Sequence, residues 1–286
     1  MDYSQPIVDI IRRRFSCRNY LETPIAAETR QRLAEAAGAC TAGPLGTPMR
    51  FALIAATDEE RSSLRGLGTY GTIRNPAGFL AGAVRPGNRN LEQWAYQMER
   101  LVLYATDLGL GTVWLGGFFS RSSFSRRIGL ERGEELPAVI ATGSMVSAEA
   151  GPDVFRRVAR GETRLPWERL FFDGRLGAPL AQQAAGAYGE ALEMVRLGPS
   201  ASNKQPWRIV REGSRWHFYL QRTPGYRRTA SLGQVPDLQR ADLGIAMCHW
   251  ELTVREAGLP GRWAIQEPAM AGADPLIEYT ATWLPM

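Results

Sequence analysis

Two landmarks occur twice along this chain, in the same order. Thr47-Pro48-Met49-Arg50-Phe51 parallels Gln205-Pro206-Trp207-Arg208-Ile209, and Gly109-Leu110-Gly111-Thr112-Val113-Trp114 parallels Gly258-Leu259-Pro260-Gly261-Arg262-Trp263. Each member of the first pair follows a helical pattern and a loop of small, turn-forming residues, then enters an apolar run of strand length. Each member of the second pair ends the longest helical stretch of its half and starts a strand. Glycine suits that junction because the residue just past a helix end often adopts the left-handed conformation. The offsets are 158 and 149, so the second copy is nine residues shorter between the landmarks. Chance recurrence of a common turn is the competing reading. The shared order favours an internal duplication, with a first half over 1–165 and a shorter second half over 166–286.

Composition narrows the function classes. The chain has 286 residues, 44% hydrophobic and 22% charged, enough to bury a core without staples. Cys17, Cys40 and Cys248 are odd in number and far apart, which excludes a disulfide framework or a Cys-rich zinc site. His217 and His249 have no ligand-spaced partner, so neither a metal nor a His-centred triad is expected. Of the 34 basic residues only Lys204 is a lysine, a compositional skew that carries little nucleic-acid signal. The pI of 9.4 still favours anionic small molecules. The opening MDYSQPIVDI has neither a basic n-region nor an apolar h-region. Leu101 to Phe119 is broken by Asp107 and by glycines, so no membrane span is expected. These readings predict a cytoplasmic protein of mixed helices and strands, with no nucleic-acid or membrane partner.

The pattern predicts helices from Ser4 to Arg14, Ile25 to about Gly38, Leu91 to Leu108, Phe124 to Ile128, Leu180 to Leu197 and Leu238 to Ala257. Strands are expected at Met49 to Ala56, Gly78 to Val84, Thr112 to Leu115 and Ala138 to Met145. In the second half they are expected at Trp207 to Arg211, Trp216 to Gln221, Arg262 to Ile265 and Leu276 to Trp283. Val146 to Pro166 reads as a connector.

Three segments carry candidate chemistry. In an extended Arg14-Phe15-Ser16-Cys17-Arg18, positions 14, 16 and 18 share a side, presenting two guanidiniums and a hydroxyl suited to a phosphate monoester. Pro199-Ser200-Ala201-Ser202-Asn203-Lys204-Gln205 is a loop whose backbone N–H groups and Asn carboxamide can approach a planar heterocycle or a ribityl chain. Trp114-Leu115-Gly116-Gly117-Phe118 ends a strand with two glycines, so the backbone can meet a ring system closely. Each also fits a plainer reading: a solvated basic face, an ordinary turn and a strand end. Trp114, Phe118 and Phe119 fit either a pocket wall or the core, and Cys17 reads as a small packing residue.

Taken together, RFSCRNY with Pro24-Ile25, WLGGF and PSASNKQPWRIV resemble the FMN-dependent nitroreductase superfamily. The run from PWERLFFDGRLGAPL to EMVRLGPSASNKQPW is similar to its single-chain branch, the TM nitroreductases, in which "TM" does not mean membrane. The resemblance implies an α+β nitroreductase-like fold and an FMN cofactor. It also implies hydride transfer from NAD(P)H through flavin N5 to a nitroaromatic, quinone or related acceptor, with ping-pong kinetics. No side chain need act as a catalytic acid or base, because the flavin carries the chemistry. Usual members are homodimers whose sites take the Arg-x-Ser-x-Arg segment and strand-end Gly from one subunit and the Pro-Ser-x-x-Asn loop from the other.

The implied cofactor-binding residues are Arg14, Phe15, Ser16, Arg18, Gly116 and Gly117 in the first half, with Pro199, Ser200, Ala201, Asn203 and Gln205 in the second. Arg164 matches a position that reaches the phosphate, and Arg74 one that places a cation near flavin N1 and O2. A second site would pair the loop Thr41 to Thr47 with Phe172-Asp173-Gly174-Arg175-Leu176. That loop has Leu45 in place of Asn, and Asp173 would repel phosphate. The chain is therefore expected to hold one FMN as a monomer that mimics a dimer. The alternatives are an FMN protein of slow turnover (a reservoir or sensor), a same-fold flavin enzyme of different chemistry, or a scaffold without flavin.

Overall fold

The computed structural model describes residues 1–55, 57, 64, 67–69, 71–117, 119–146, 163–226, 236–269 and 274–286. The first sheet contains β1 (Met49–Ala55), β2 (Gly78–Val84), β3 (Gly111–Leu115) and β4 (Val139–Gly143), in the order β1-β2-β4-β3 with every pair antiparallel. The second contains β5 (Phe171–Asp173), β6 (Trp207–Glu212), β7 (Arg215–Gln221), β8 (Gly261–Ala264) and β9 (Ile277–Pro285), in the order β5-β6-β7-β9-β8. Leaving aside β5, which joins β6 in parallel, β6-β7-β9-β8 repeats the first sheet strand for strand. The two landmark glycines behave alike: Gly109 (φ +81°) and Gly258 (φ +70°) each turn a long helix into the third strand of its half. The fold is α+β, with the duplication visible in the strand order.

The helices are α1 (Ile7–Arg13), α2 (Ala27–Ala39), α3 (Asn90–Asp107), α4 (Arg121–Arg127), α5 (Gly189–Leu197) and α6 (Leu238–Glu256). α3 is buried almost all round, as a helix packed on both sides must be. Trp94, Met98, Leu101 and Val102 pack with Phe51, Leu80 and Ile140 of the first sheet. On α6, Leu243, Met247, Trp250 and Val254 do the same with Trp216, Phe218 and Trp283 of the second. The two helices then pack against each other. At Gly244 the backbones meet so closely that a Cβ would stand 2.0 Å from the Glu92 carbonyl oxygen.

Polar groups inside this seam are paired across it. Glu99 and His249 are both fully buried, with Glu99 Oε1 2.9 Å from His249 Nε2. His249 Nδ1 lies 2.8 Å from the Met194 carbonyl oxygen, and Glu99 Oε2 accepts from Trp114 Nε1 at 2.8 Å. Arg240 grips Glu92 with both ends of its fork, at 2.9 and 2.6 Å.

The structure corrects several expected elements. Ser4 does not cap α1, which starts at Ile7 after Pro6; Ser4 instead gives its N–H and Oγ to the Asp107 carboxylate at 2.7 and 2.8 Å. Proline fixes φ at a helix start as well as a cap does. The helix expected over Leu180 to Leu197 is a 3-10 stretch, Gln182–Tyr188, broken at Gly186 (φ +55°), and only then α5. Strand β5 is not among the expected strands, because three residues are too few to show an alternation. Most of the connector, residues 147–162, lies outside the described residues. Among the described residues, no helix is long and apolar enough to cross a membrane.

Gly244→Ala should force the two long helices apart. The expected loss is about 1–3 kcal/mol, the range for an overpacked core, read as a lower midpoint in urea unfolding. An unchanged midpoint would show that the seam has slack.

Candidate functional site

The Arg14 to Arg18 segment leaves α1 and runs extended beside β3. Ser16 bridges Thr112 in parallel, and Cys17 N–H donates to the Thr112 carbonyl at 2.9 Å. On its other edge Arg74 N–H donates to the Arg18 carbonyl at 2.8 Å, and Tyr20 N–H to the Arg74 carbonyl at 3.1 Å. Cys17 and Tyr20 are buried and anchor the segment from below, the Tyr20 hydroxyl lying between the carbonyls of Cys17 and Ala141 at 2.6 and 3.0 Å. The backbone of Arg74 thereby lies beside that of Arg18, with Arg14 and Ser16 earlier along the same extended segment. Arg14 and Phe15 also line a cavity of about 260 Å³ with Arg13, Gly111 and Thr112.

At the far end of β3, Gly116 has no room for a side chain: a Cβ would stand 2.3 Å from Leu238 Cδ1, at the first residue of α6. The Gly116 carbonyl accepts from the Arg121 guanidinium at 3.1 Å. Gly117 is exposed, and Phe118 lies outside the described residues. Trp114 and Phe119 belong to the core: Trp114 bonds Glu99 and meets Trp94 edge-on, while Phe119 packs on Phe124.

The loop Pro199 to Gln205 holds three non-glycine residues in the left-handed region: Ser202 (φ +50°), Asn203 (φ +53°) and Gln205 (φ +49°). Such backbone is costly and persists only where its surroundings impose it. Here they do. Ser200 Oγ accepts from Gln205 N–H at 2.9 Å. Gln205 is buried, and its Oε1 accepts from Leu165 N–H at 2.8 Å. Asn203 Nδ2 donates to the Thr163 carbonyl at 3.0 Å. Arg164 donates to the Leu197 carbonyl at 3.0 Å, at the end of α5. Arg164, Ser200, Ala201, Asn203 and Gln205 are thus brought together, with Pro199 leading in. The expectation of several loop N–H groups turned outward needs correction. Those of Asn203, Lys204 and Gln205 bond within the loop, and that of Ala201 bonds to Asp242.

Asp242, on α6, was not singled out from sequence. Its Oδ1 accepts from Ala201 N–H at 2.9 Å, while its Oδ2 is buried with no hydrogen-bond partner among the described residues. Burial pushes this carboxyl well above the usual carboxylate range. One helical turn earlier on the same helix is Leu238, against Gly116. The first turns of α6 therefore link the strand-end glycine of one half to the loop of the other.

The landmark offset of 149 maps Gln93 onto Asp242, and the two do opposite things. Gln93 fills the first-half loop: its Oε1 accepts from Leu45 N–H (2.9 Å) and Thr47 N–H (3.0 Å), and its Nε2 bonds Thr47 Oγ1. Its side chain occupies the space a Cβ at Gly43 would need. Gln97 closes the loop further by donating to the Ala42 carbonyl. Nor does Phe172 to Leu176 lie where Arg14 to Arg18 does. Phe172 pairs with Val210 at the β6 edge, the opposite edge from β8, and the Asp173 carboxylate is taken by the Arg211 fork at 3.0 and 2.8 Å.

The profile of the family described as Putative TM nitroreductase matches residues 6–254 of the chain. A crystal structure of a protein described as a putative nitroreductase from Thermotoga maritima is 18% identical over 99% of this chain and 95% of its own, with a TM-score of 0.61. A putative nitroreductase in complex with FMN from Desulfovibrio desulfuricans is 26% identical over 52% of this chain and 93% of its own, with a TM-score of 0.40. A nitroreductase with bound FMN from Desulfitobacterium hafniense is 18% identical over 51% and 92%, with a TM-score of 0.42. No curated protein matches the chain at a significant level.

Asp242 carries a pH prediction. A carboxyl whose pKa is raised in the folded state lowers stability as pH climbs above its unfolded value, about 4. The penalty grows until the folded group itself ionises. Asp242→Asn keeps the acceptor for Ala201 and removes the charge. Its thermal midpoint should match the parent chain near pH 4 and exceed it increasingly towards neutral pH. Parallel curves would show that Asp242 is not strained by burial.

Proposed function

Because this chain belongs to the Putative TM nitroreductase family, we propose that it is an FMN-dependent oxidoreductase holding one flavin per chain. It passes hydride from NAD(P)H to a small acceptor such as a nitroaromatic or a quinone, working as a monomer whose halves stand in for two subunits. The observation that carries the one-site reading is the unlike fate of the matching loops. The first-half loop is filled by Gln93, whereas the second-half loop is held in left-handed backbone around Ser202, Asn203 and Gln205.

The donor set suits the cofactor. Arg14 and Arg18, with Ser16 between them, offer charge-assisted bonds to a dianionic phosphate, and Arg74, its backbone beside that of Arg18, adds a third guanidinium. When bound, the flavin supplies hydride acceptance and donation at N5. The chain's own residues hold and orient. Gln205 and Ser200 keep the loop in shape, Asn203 is tied to Thr163, and Arg164 fixes the end of α5 beside it. Gly116 and Gly117 leave the strand end without side chains, so a planar ring can approach by displacing only the tip of Leu238. Burial disfavours negative charge on the Asp242 carboxyl at this end of α6.

A visible absorbance spectrum with flavin stoichiometry after denaturation tests the reading. One FMN per chain is expected. Two would overturn the filled-loop argument, and none after incubation with excess FMN would overturn the catalytic reading. Arg18→Ala should weaken FMN affinity about tenfold or more, as for a lost charged contact. Unchanged affinity, measured by flavin fluorescence quenching, would remove Arg18 from the site.

A further inference from the structure

The first landmark pair places Arg50 and Arg208 at matching positions, each the second residue of its strand. In the first half the guanidinium has its carboxylate. Arg50 Nε and one terminal nitrogen grip Glu134 at 3.0 and 2.6 Å, and the terminal nitrogens also donate to the carbonyls of Ile128 and Gly129. In the second half Arg208 is only 8% exposed, and a single nitrogen is used, donating to the carbonyls of Gln205 and Trp207 at 3.0 and 2.6 Å. Among the described residues neither Arg208 nor its neighbour Arg169 makes an ion pair. Burial and the Arg169 charge push Arg208 down to about 10. A buried guanidinium without a counter-charge is strongly unfavourable, and a second guanidinium beside it makes matters worse.

Arg208 and Arg169 face a cavity of about 330 Å³, within the size range of small-ligand pockets. Phe172, Leu176, Pro179 and Ile277 form its apolar wall. The Gln221 side chain also lines it and makes no hydrogen bond among the described residues. The exposed Glu168 is part of the lining as well, and its charge disfavours a ligand with more than one negative charge.

We propose that the second half carries a binding site, separate from the flavin site, for a small monocarboxylate with an aryl or branched-alkyl body. The carboxylate takes at Arg208 the place that Glu134 takes at Arg50, with Arg169 as the second cation. The body lies along Phe172, Leu176, Pro179 and Ile277. A fork that already binds a carboxylate in one half is the right shape for one in the other. The site adjoins the left-handed loop, because Arg208 holds the Gln205 carbonyl.

Calorimetric titration of the purified full chain with benzoate at low ionic strength tests this, with benzyl alcohol and inorganic phosphate as comparison probes. One benzoate per chain is expected, with no saturable uptake of benzyl alcohol. Arg169→Ala, at an exposed position, relieves the repulsion on Arg208 and should not lower the thermal midpoint, while weakening benzoate about tenfold or more. Arg208→Lys, which keeps charge but loses the fork, should weaken it as well. An exposed arginine elsewhere, Arg132→Ala, should bind like the parent. Absence of saturable benzoate binding would overturn the proposal. So would equal affinity in Arg169→Ala, which would place benzoate in another pocket. Phosphate binding that is tighter than benzoate and that Arg169→Ala weakens would also overturn it, by making this a bare anion site.

Discussion

A helix buried on every side has nowhere to send its charged residues except towards another helix. That constraint organises this molecule. α3 and α6 each cover a sheet with one face and meet each other with the rest, and charged groups are satisfied across the seam: Glu99 by His249, Glu92 by Arg240, Glu251 by Tyr96. Removing one partner of such a pair strands the other in a low-dielectric interior, which is far more costly than never having had the pair. The close approach at Gly244 is the geometric counterpart of the same arrangement. Both candidate-site elements depend on it. Leu238 and Asp242 project from the first turns of α6, and they reach Gly116 and Ala201 only because the seam fixes where that helix begins.

Within this shared frame the two halves diverge by single side chains. An amide at position 93 has both a donor and an acceptor, so Gln93 satisfies its loop and fills it. A carboxyl at the matching position 242 accepts one N–H and leaves an oxygen over. The loop it touches cannot collapse around it in the same way, and adopts left-handed backbone tied to Thr163 and Leu165 instead. Strain of this kind collects where a ligand is clamped.

The duplication was legible because it rests on local chemistry. A glycine past a long helix and a Pro-bearing strand entry look the same wherever they occur, and Gly109 and Gly258 do adopt the same left-handed turn. The long helices, most strands and the extended run from Arg14 were legible for similar reasons. Strand order was not, since nothing local distinguishes β1-β2-β4-β3 from other antiparallel arrangements. The pairings that matter most span many residues: Glu99 with His249, Arg50 with Glu134, Gln93 with its loop. Asp242 was within reach, because the landmark offset points from Gln93 to it, but only the structure shows that position 93 does anything worth comparing. Gln205, implied by the resemblance to bind cofactor, is buried, and its side chain also shapes the loop, which nothing local in the sequence signals.

In an assembly of two identical subunits a codon change alters both copies of a position at once, so a residue good for one site must be tolerated in the other. Fusion removes that coupling. Arg50 can keep Glu134 while Arg208 does without a carboxylate among the described residues, and position 93 can be an amide while position 242 is an acid. Each such pair is a place where one gene explores two solutions to the same structural problem. The chain is then free to specialise its halves as no symmetric pair can.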